Sequence, residues 1–393
     1  MVSVSPWLLE DGVLHLNHGS FGATPASVLE AQERVRRRME ANPTRYFVGD
    51  EYQHELDTAR RVVADFVGAD EAGLVFVNNA TTGVNAVMRS LEPSLASGDE
   101  ILITDHEYNA CVNAAMVSAE RTGAQVVTAR APFPLESSQQ IVDAVLGAVT
   151  DRTRILMIDS VTSATGLVMP VAELAAALEP DVAVLVDAAH GPGMIDFDVS
   201  ALGVSYVTAN CHKWMCAAKG AALLWVREDR REGVYPPVIS HGYNGGWPSS
   251  GSDFHAQFDW TGTQDPSPWL TVPDALDAVA AMHPDGWPGV RKAIRELCLT
   301  GREILLDALG IDPPAPEDMI GSIASVPVPP ADHSGSEIFD PLMDALADKH
   351  NILVPVFAWP DPPERLLRIS AHLYNEESDY RILATALLAE LSA

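Results

Sequence analysis

The chain has 393 residues, 47% of them apolar, enough for a large core divided between two domains. A formal charge of −29 argues against nucleic acid or an anionic membrane as partner and leaves small molecules. Its four cysteines (Cys111, Cys211, Cys216, Cys298) make neither a CxxC pair nor a regular framework, so no structural metal site or disulfide scaffold is expected. The start carries no basic leader and no long uncharged apolar run occurs, which points to a cytoplasmic protein.

In chain order, NHGSFGATPASVLEAQERVRRRM predicts a glycine-containing loop and then a helix, with Thr24 as N-cap and Pro25 at the first helical position. Between about residues 73 and 226, GLVFVN, EILIT, QVVTA, TRILMID, DVAVLVD, VSYVTA and AALLWV read as strands. Helical patterns such as TTGVNAVMRSL and PVAELAAALE alternate with them. Most of these runs are apolar on both faces, as in a mainly parallel, seven-stranded α/β sheet flanked by helices. In such sheets ligands bind beyond the carboxyl ends of the strands. Residues 233–268 are aromatic and rich in Gly, Ser and Pro, and read as one long functional loop. Residues 270–393 predict a smaller α+β unit around SIASVPV and RLLRISA. The expected division is a large domain over 16–269 and a small one over 270–393 joined by 1–15.

Only four lysines occur, which narrows the search for a catalytic amine. Lys292 and Lys349 sit in polar helical stretches, and Lys219 in AAKGAALLW marks a hairpin turn. Lys213 follows the apolar strand VSYVTA directly, before Trp214. Desolvation there lowers an amine's pKa and frees its lone pair for imine formation. A second strand, DVAVLVD, ends in Asp187, with His190 three residues on. A carboxylate so placed needs a cationic partner, although alone it reads equally as a helix cap. In LVFVNNATTG a strand stops and Ala80, Thr81 and Thr82 open a helix, where backbone N–H groups and hydroxyls suit a phosphate. The absence of a Walker motif and of GxGxxG after a strand makes nucleotides poorer candidates.

Taken together, ATTG, DAAH and HKW in this order resemble the class V aminotransferase group of fold-type I pyridoxal-phosphate enzymes. LNHGSFGATP, HEYN, SVTSATGLVMP, WTGTQDPSPWL and LRISAHLYN resemble isopenicillin N epimerases and related carbon–sulfur lyases. The resemblance implies pyridoxal 5′-phosphate carried on Lys213, with Asp187 at its pyridine nitrogen and His190 and Tyr108 against its ring. It also implies Ala80, Thr81, Thr82, Asn210 and His212 as phosphate ligands, and Thr263 reaching the phosphate of a neighbouring subunit in a homodimer. Arg368 corresponds to an arginine that clamps the substrate carboxylate. Asn17, His18 and His241 are looser candidates near the substrate.

The reaction stays open at this level. Lys213 can remove a Cα proton, after which β-elimination on an S-substituted cysteine asks least of other residues. Epimerisation needs a second donor, such as Tyr108 or a loop histidine, and transamination is a further route. A desulfurase-type persulfide is not expected, because residues 320–368 contain no cysteine. A cofactor-free binding module with a vestigial lysine is the remote alternative.

Overall fold

The computed structural model describes residues 6–247, 251–331 and 340–392. Residues 1–5 of the leading segment and 248–250 of the Gly/Ser-rich stretch lie outside the described residues. All seven expected strands form one sheet: β1 (Leu74–Val77), β2 (Glu100–Thr104), β3 (Gln125–Ala129), β4 (Thr153–Asp159), β5 (Ala183–Asp187), β6 (Tyr206–Asn210) and β7 (Ala222–Val226). The order is β1-β7-β6-β5-β4-β2-β3, and β7 runs antiparallel to both neighbours while the rest run one way. Strands β1, β2, β5, β6 and β7 are buried throughout, as two-sided apolar runs require. Edge strand β3 is half-exposed because Gln125 and Thr128 face outward.

The flanking helices follow the apolar periodicity. They include α1 (Ala26–Ala41), α2 (Asp50–Val67), α3 (Ala80–Leu91), α4 (Asn109–Thr122), α5 (Val171–Leu178), α6 (Asp253–Asp259), α7 (Gly286–Leu309) and α8 (Glu377–Leu391). Helix α1 starts one residue later than expected, with Pro25 at the N-cap. Thr24 does not cap it, because its hydroxyl donates to the Ala217 carbonyl at 2.9 Å and so ties the loop to the Lys213 turn. The stretch 233–268 is likewise not one open loop. Ser252 caps α6 there, and Phe254 and Phe258 bury against the strands, each contributing about 1.5–3 kcal/mol of transfer free energy. Arg60 of α2, itself buried, pins α6 through Asp259.

After the large sheet, β8 (Ile323–Val328), β9 (Val356–Ala358) and β10 (Arg365–Ser370) form an antiparallel sheet in the order β9-β10-β8, against which α7 packs. Leu14–His15 pairs in parallel with Ile352–Leu353, which joins the N-terminal segment to this region. Among the described residues no helix is long and apolar enough to cross a membrane.

Candidate active site

Because six strands of the large sheet run the same way, their carboxyl ends meet at one edge, and Asp159, Asp187 and Thr208 are register partners across β4, β5 and β6. A cavity of about 240 Å³ opens there, with Thr81, Tyr108, Asp159, Asp187, His190 and Lys213 among its lining residues. Two close approaches shape it. A side chain at Gly83 would collide with the Thr208 hydroxyl, so glycine lets α3 settle onto β6. Gly22, at φ +71°, lies so near the His212 carbonyl that a Cβ would come within 2.0 Å of it.

Lys213 sits in the turn after β6. Its carbonyl accepts from the Cys216 N–H at 3.0 Å and from His18 Nε2 at 3.1 Å, which fixes the backbone. Its Nζ lies 3.1 Å from His190 Nε2. Burial, then the charge of Arg368, pulls the amine down to about 8, against the opposing pull of Asp187 and Asp159. The other lysines lie at the surface: Lys219 donates to Thr24, Lys292 pairs with Glu296, and Lys349 with Glu390.

Asp187 is buried, and each carboxylate oxygen has one donor: the Ala189 N–H at 2.9 Å and the Cys111 thiol at 3.1 Å. Burial raises its pKa, partly offset by these bonds and by Lys213. Its neighbour Asp159 is also buried and, beside that, Glu107 is half-buried; desolvation pushes both upward, Glu107 to about 7. Sequence reasoning missed Cys111, Glu107 and Asp159. Asp159 was findable, since it ends TRILMID just as Asp187 ends DVAVLVD, whereas Cys111 carries no signal outside the fold.

At the α3 N-terminus the expected free donors are mostly committed. The Ala80 N–H donates to Asn210 Oδ1 at 2.8 Å, and both the amide and hydroxyl of Thr82 donate to Asn79 Oδ1. Local capping thus satisfies the helix start, and Thr81 is left lining the cavity with an uncommitted amide and hydroxyl among the described residues. His212 also lines it. Its Nδ1–H donates to the Ala221 carbonyl at 2.9 Å, and burial holds the ring neutral, with a pKa of about 4, so that Nε2 faces outward as a lone pair.

Arg368 is fully buried with no carboxylate partner among the described residues. Its guanidinium donates to the Ser163 carbonyl and hydroxyl, to Asn17 Oδ1 and to Ser20 Oγ, stands 5.0 Å from the Phe357 ring centroid, and leaves Nε without a partner. Ser20 and Ser163 form the cavity wall in front of it. Burial pulls its pKa down to about 10. A guanidinium held by neutral acceptors alone awaits an anion.

Not every candidate converges on the cavity. Tyr108 lines it and is 48% exposed, at the α4 N-cap. Neither Arg368 nor Asn17 is in the cavity lining; both stand behind Ser20, whose hydroxyl donates to Asn17 Oδ1 at 2.6 Å. His18 does not face it, because its ring is buried behind Lys213, stacked on His372 at 4.0 Å and bonded to Tyr374. His241 is exposed on a short 3-10 turn, and Thr263 is exposed on the loop after α6; neither lines the cavity of its own chain.

An amine below its usual pKa, a buried acid in the adjacent strand, and the uncommitted amide and hydroxyl of Thr81 together fit an aldehyde bearing a ring nitrogen and a phosphate, as in pyridoxal 5′-phosphate. Comparison with known proteins agrees. The chain is 37% identical over 391 residues to an isopenicillin N epimerase of Amycolatopsis lactamdurans, covering 96% of this chain and 95% of the relative. It is 30% identical to a probable chloroplastic L-cysteine desulfhydrase of Arabidopsis thaliana, covering 95% and 82%. Among solved structures, the cystine C–S lyase C-DES with its product cysteine persulfide superposes with a TM-score of 0.78 at 22% identity, over 96% of this chain and 97% of that one. Its fold is shared. Residues 20–256 match the aminotransferase class-V family, and the chain is a member of that family, a pyridoxal-phosphate-dependent enzyme.

Proposed function

We propose that this enzyme cleaves the Cβ–S bond of an S-substituted cysteine by β-elimination, with Lys213 as the base at Cα. The observation that carries this reading is the Lys213 amine, pulled down to about 8 and facing a neutral His190 at 3.1 Å in the cavity, where it can act as a base. Elimination asks for one base and a leaving group and nothing else of the protein.

In this reading Lys213 would hold the cofactor through its amine. Asp187 keeps the ring nitrogen protonated, with Cys111 and the Ala189 amide holding its carboxylate in position. Thr81 and His212 would hold the phosphate, while Ala80, Thr82 and Asn210 would frame that end. His190 and Tyr108 flank the ring. Pyridoxal 5′-phosphate, when bound, draws electrons from Cα and acidifies its hydrogen. Arg368, oriented by Asn17 and Ser163, holds the substrate carboxylate. Lys213 takes the Cα proton, the C–H electron pair forms the Cα=Cβ bond, and the thiolate leaves with the Cβ–S pair. Hydrolysis then gives pyruvate and ammonia.

The desulfhydrase relatives support this choice. The epimerase relatives support a second reading, in which Tyr108 donates a proton on the face opposite Lys213; its phenol lines the cavity and has no protein hydrogen-bond partner among the described residues. A homodimer belongs to the proposal, with exposed Thr263 reaching the partner's phosphate, as does a cytoplasmic setting, supported by four buried free thiols.

The test is product analysis in deuterated water with a panel of amino acids that includes S-conjugates of cysteine. Pyruvate, ammonia and thiol are expected. Deuterium at Cα with inversion and no pyruvate would replace elimination by epimerisation.

A further inference from the structure

Beside Asp187, two buried oxygens receive no hydrogen bond from a donor group among the described residues: Glu107 Oε2 and Asp159 Oδ1. Their side chains are within hydrogen-bonding reach of one another, and two bare carboxylates cannot make that bond. A single proton between them satisfies both orphan atoms at once. The fold holds the pair together from two directions. Asp159 ends β4 in register with Asp187, and the Thr104 hydroxyl at the end of β2 donates to Glu107 Oε1 at 2.8 Å, which leaves Oε2 as the oxygen open to Asp159.

We propose that Glu107 and Asp159 share one proton and serve as positioning residues for Asp187, keeping its strand-end neighbour neutral so that one carboxylate rather than two faces the pyridine nitrogen. This rests on the reading of Asp187 given above. Charged and titratable groups bear on the pair from each side: Asp187 on β5, Cys111 and Tyr108 at the start of α4, and Lys213 after β6. Burial is the first cause of the upward shift of both acids, and each raises or is held by the other. With like charges at neighbouring strand ends, ionising Asp159 beside Asp187 would bind any proton on the cofactor ring more tightly and so alter its electron demand.

Two substitutions separate the roles. In Glu107→Gln, Thr104 still engages Oε1, so the amide nitrogen faces Asp159 and donates to it, which drives Asp159 to ionise. The midpoint of the pH titration of the holoprotein's visible absorbance is expected to rise by about one unit. In Asp159→Asn the amide donates to Glu107 and mimics the neutral acid, and the midpoint is expected to stay at the wild-type value. Equal midpoints in all three proteins, or a shift in Asp159→Asn as large as in Glu107→Gln, overturns the proposal.

A measurement on unaltered apoprotein guards against misfolded variants. Infrared difference spectra across neutral pH are expected to show a buried protonated carboxyl stretch that moves in deuterated water; a spectrum with ionised carboxylates alone overturns the proposal. Borohydride trapping on the same preparation keeps the two readings apart. A reduced adduct on Lys213 together with no protonated acid refutes the shared proton alone, whereas an adduct elsewhere refutes the placement of the cofactor.

Discussion

Lys213 Nζ and His190 Nε2 lie 3.1 Å apart, and the far nitrogen of that imidazole, Nδ1, accepts a hydrogen bond from Trp214 Nε1 at 3.1 Å. Indole N–H is a donor only, so Nδ1 is bare and the ring's single proton sits on Nε2, pointing at the lysine. Burial above all holds His190 well below its usual pKa, so it stays neutral. Nε2–H can meet Nζ favourably only through the amine's lone pair. The contact therefore selects the uncharged, nucleophilic form of Lys213.

The first prediction concerns cofactor capture. With Lys213 near 8, roughly a tenth of the amine is neutral at pH 7, against about one part in three thousand for a solvated lysine. The rate at which apoprotein takes up pyridoxal 5′-phosphate is expected to rise with pH through about 8 and then level off. Trp214→Phe frees Nδ1 for the proton, lets Nε2 accept from an ammonium, and is expected to move that midpoint upward by about one unit. Stopped-flow absorbance measures both; an unchanged midpoint in the variant refutes the tautomer argument.

A second prediction follows from the unpaired guanidinium. Arg368→Ala is expected to raise KM for amino-acid substrate about 100-fold, since a buried, hydrogen-bonded charge pair is lost at a cost of about 2–5 kcal/mol. Arg368→Lys is expected not to restore it, because an ammonium cannot reproduce the planar fork held by Ser163, Asn17 and Ser20. Comparing each substrate with its carboxamide gives the check: the discrimination seen in wild type should vanish in both variants.

Thr81 and Thr82 are expected to behave differently although adjacent. Thr81→Ala removes a hydroxyl facing the cavity, and its loss should weaken pyridoxal 5′-phosphate binding about tenfold, as for a hydrogen bond to a charged group. Thr82→Ala removes only a local contact with Asn79 and should leave affinity within about twofold. Equilibrium titration of apoprotein with the phosphate and with pyridoxal lacking it decides the matter, since the effect should be confined to the phosphate.

A fourth prediction is one of stability. Arg60 and Asp259 are both buried, and Asp259→Ala leaves the guanidinium with Asp57 alone. Breaking a buried pair from one side costs about 3–5 kcal/mol. The apoprotein should unfold at a lower temperature, and hydrogen exchange should show α6 losing protection before the central sheet. Uniform loss across the chain would mean that the pair does not act as the local pin of that helix.

Much of the scaffold was legible because its signals are local. Seven apolar runs of strand length, bounded by turn residues, became seven strands, since a two-sided buried strand has to be apolar at every position. Lys213 and Asp187 stood out for the same reason, as charged groups at the ends of such runs. At Ala80 and Thr82 the sequence suits both capping and a phosphate; Asn79 and Asn210 take those amides, and the second of these comes from a strand 130 residues away. His18 looked like a substrate contact beside a glycine loop, yet it is walled in by Lys213, Tyr374 and His372 from distant parts of the chain.

What the sequence determined by itself was the sheet and the charged groups Lys213 and Asp187 at the ends of its buried runs, because hydrophobic periodicity and the cost of burying charge operate over a few consecutive residues. Tertiary structure alone decided which proton each group holds. The neutrality of His190, the thiol against Asp187 and the proton between Glu107 and Asp159 depend on contacts a few ångströms long between residues on different strands and helices, and hydrogen bonds of that range are set only once the chain has closed around them.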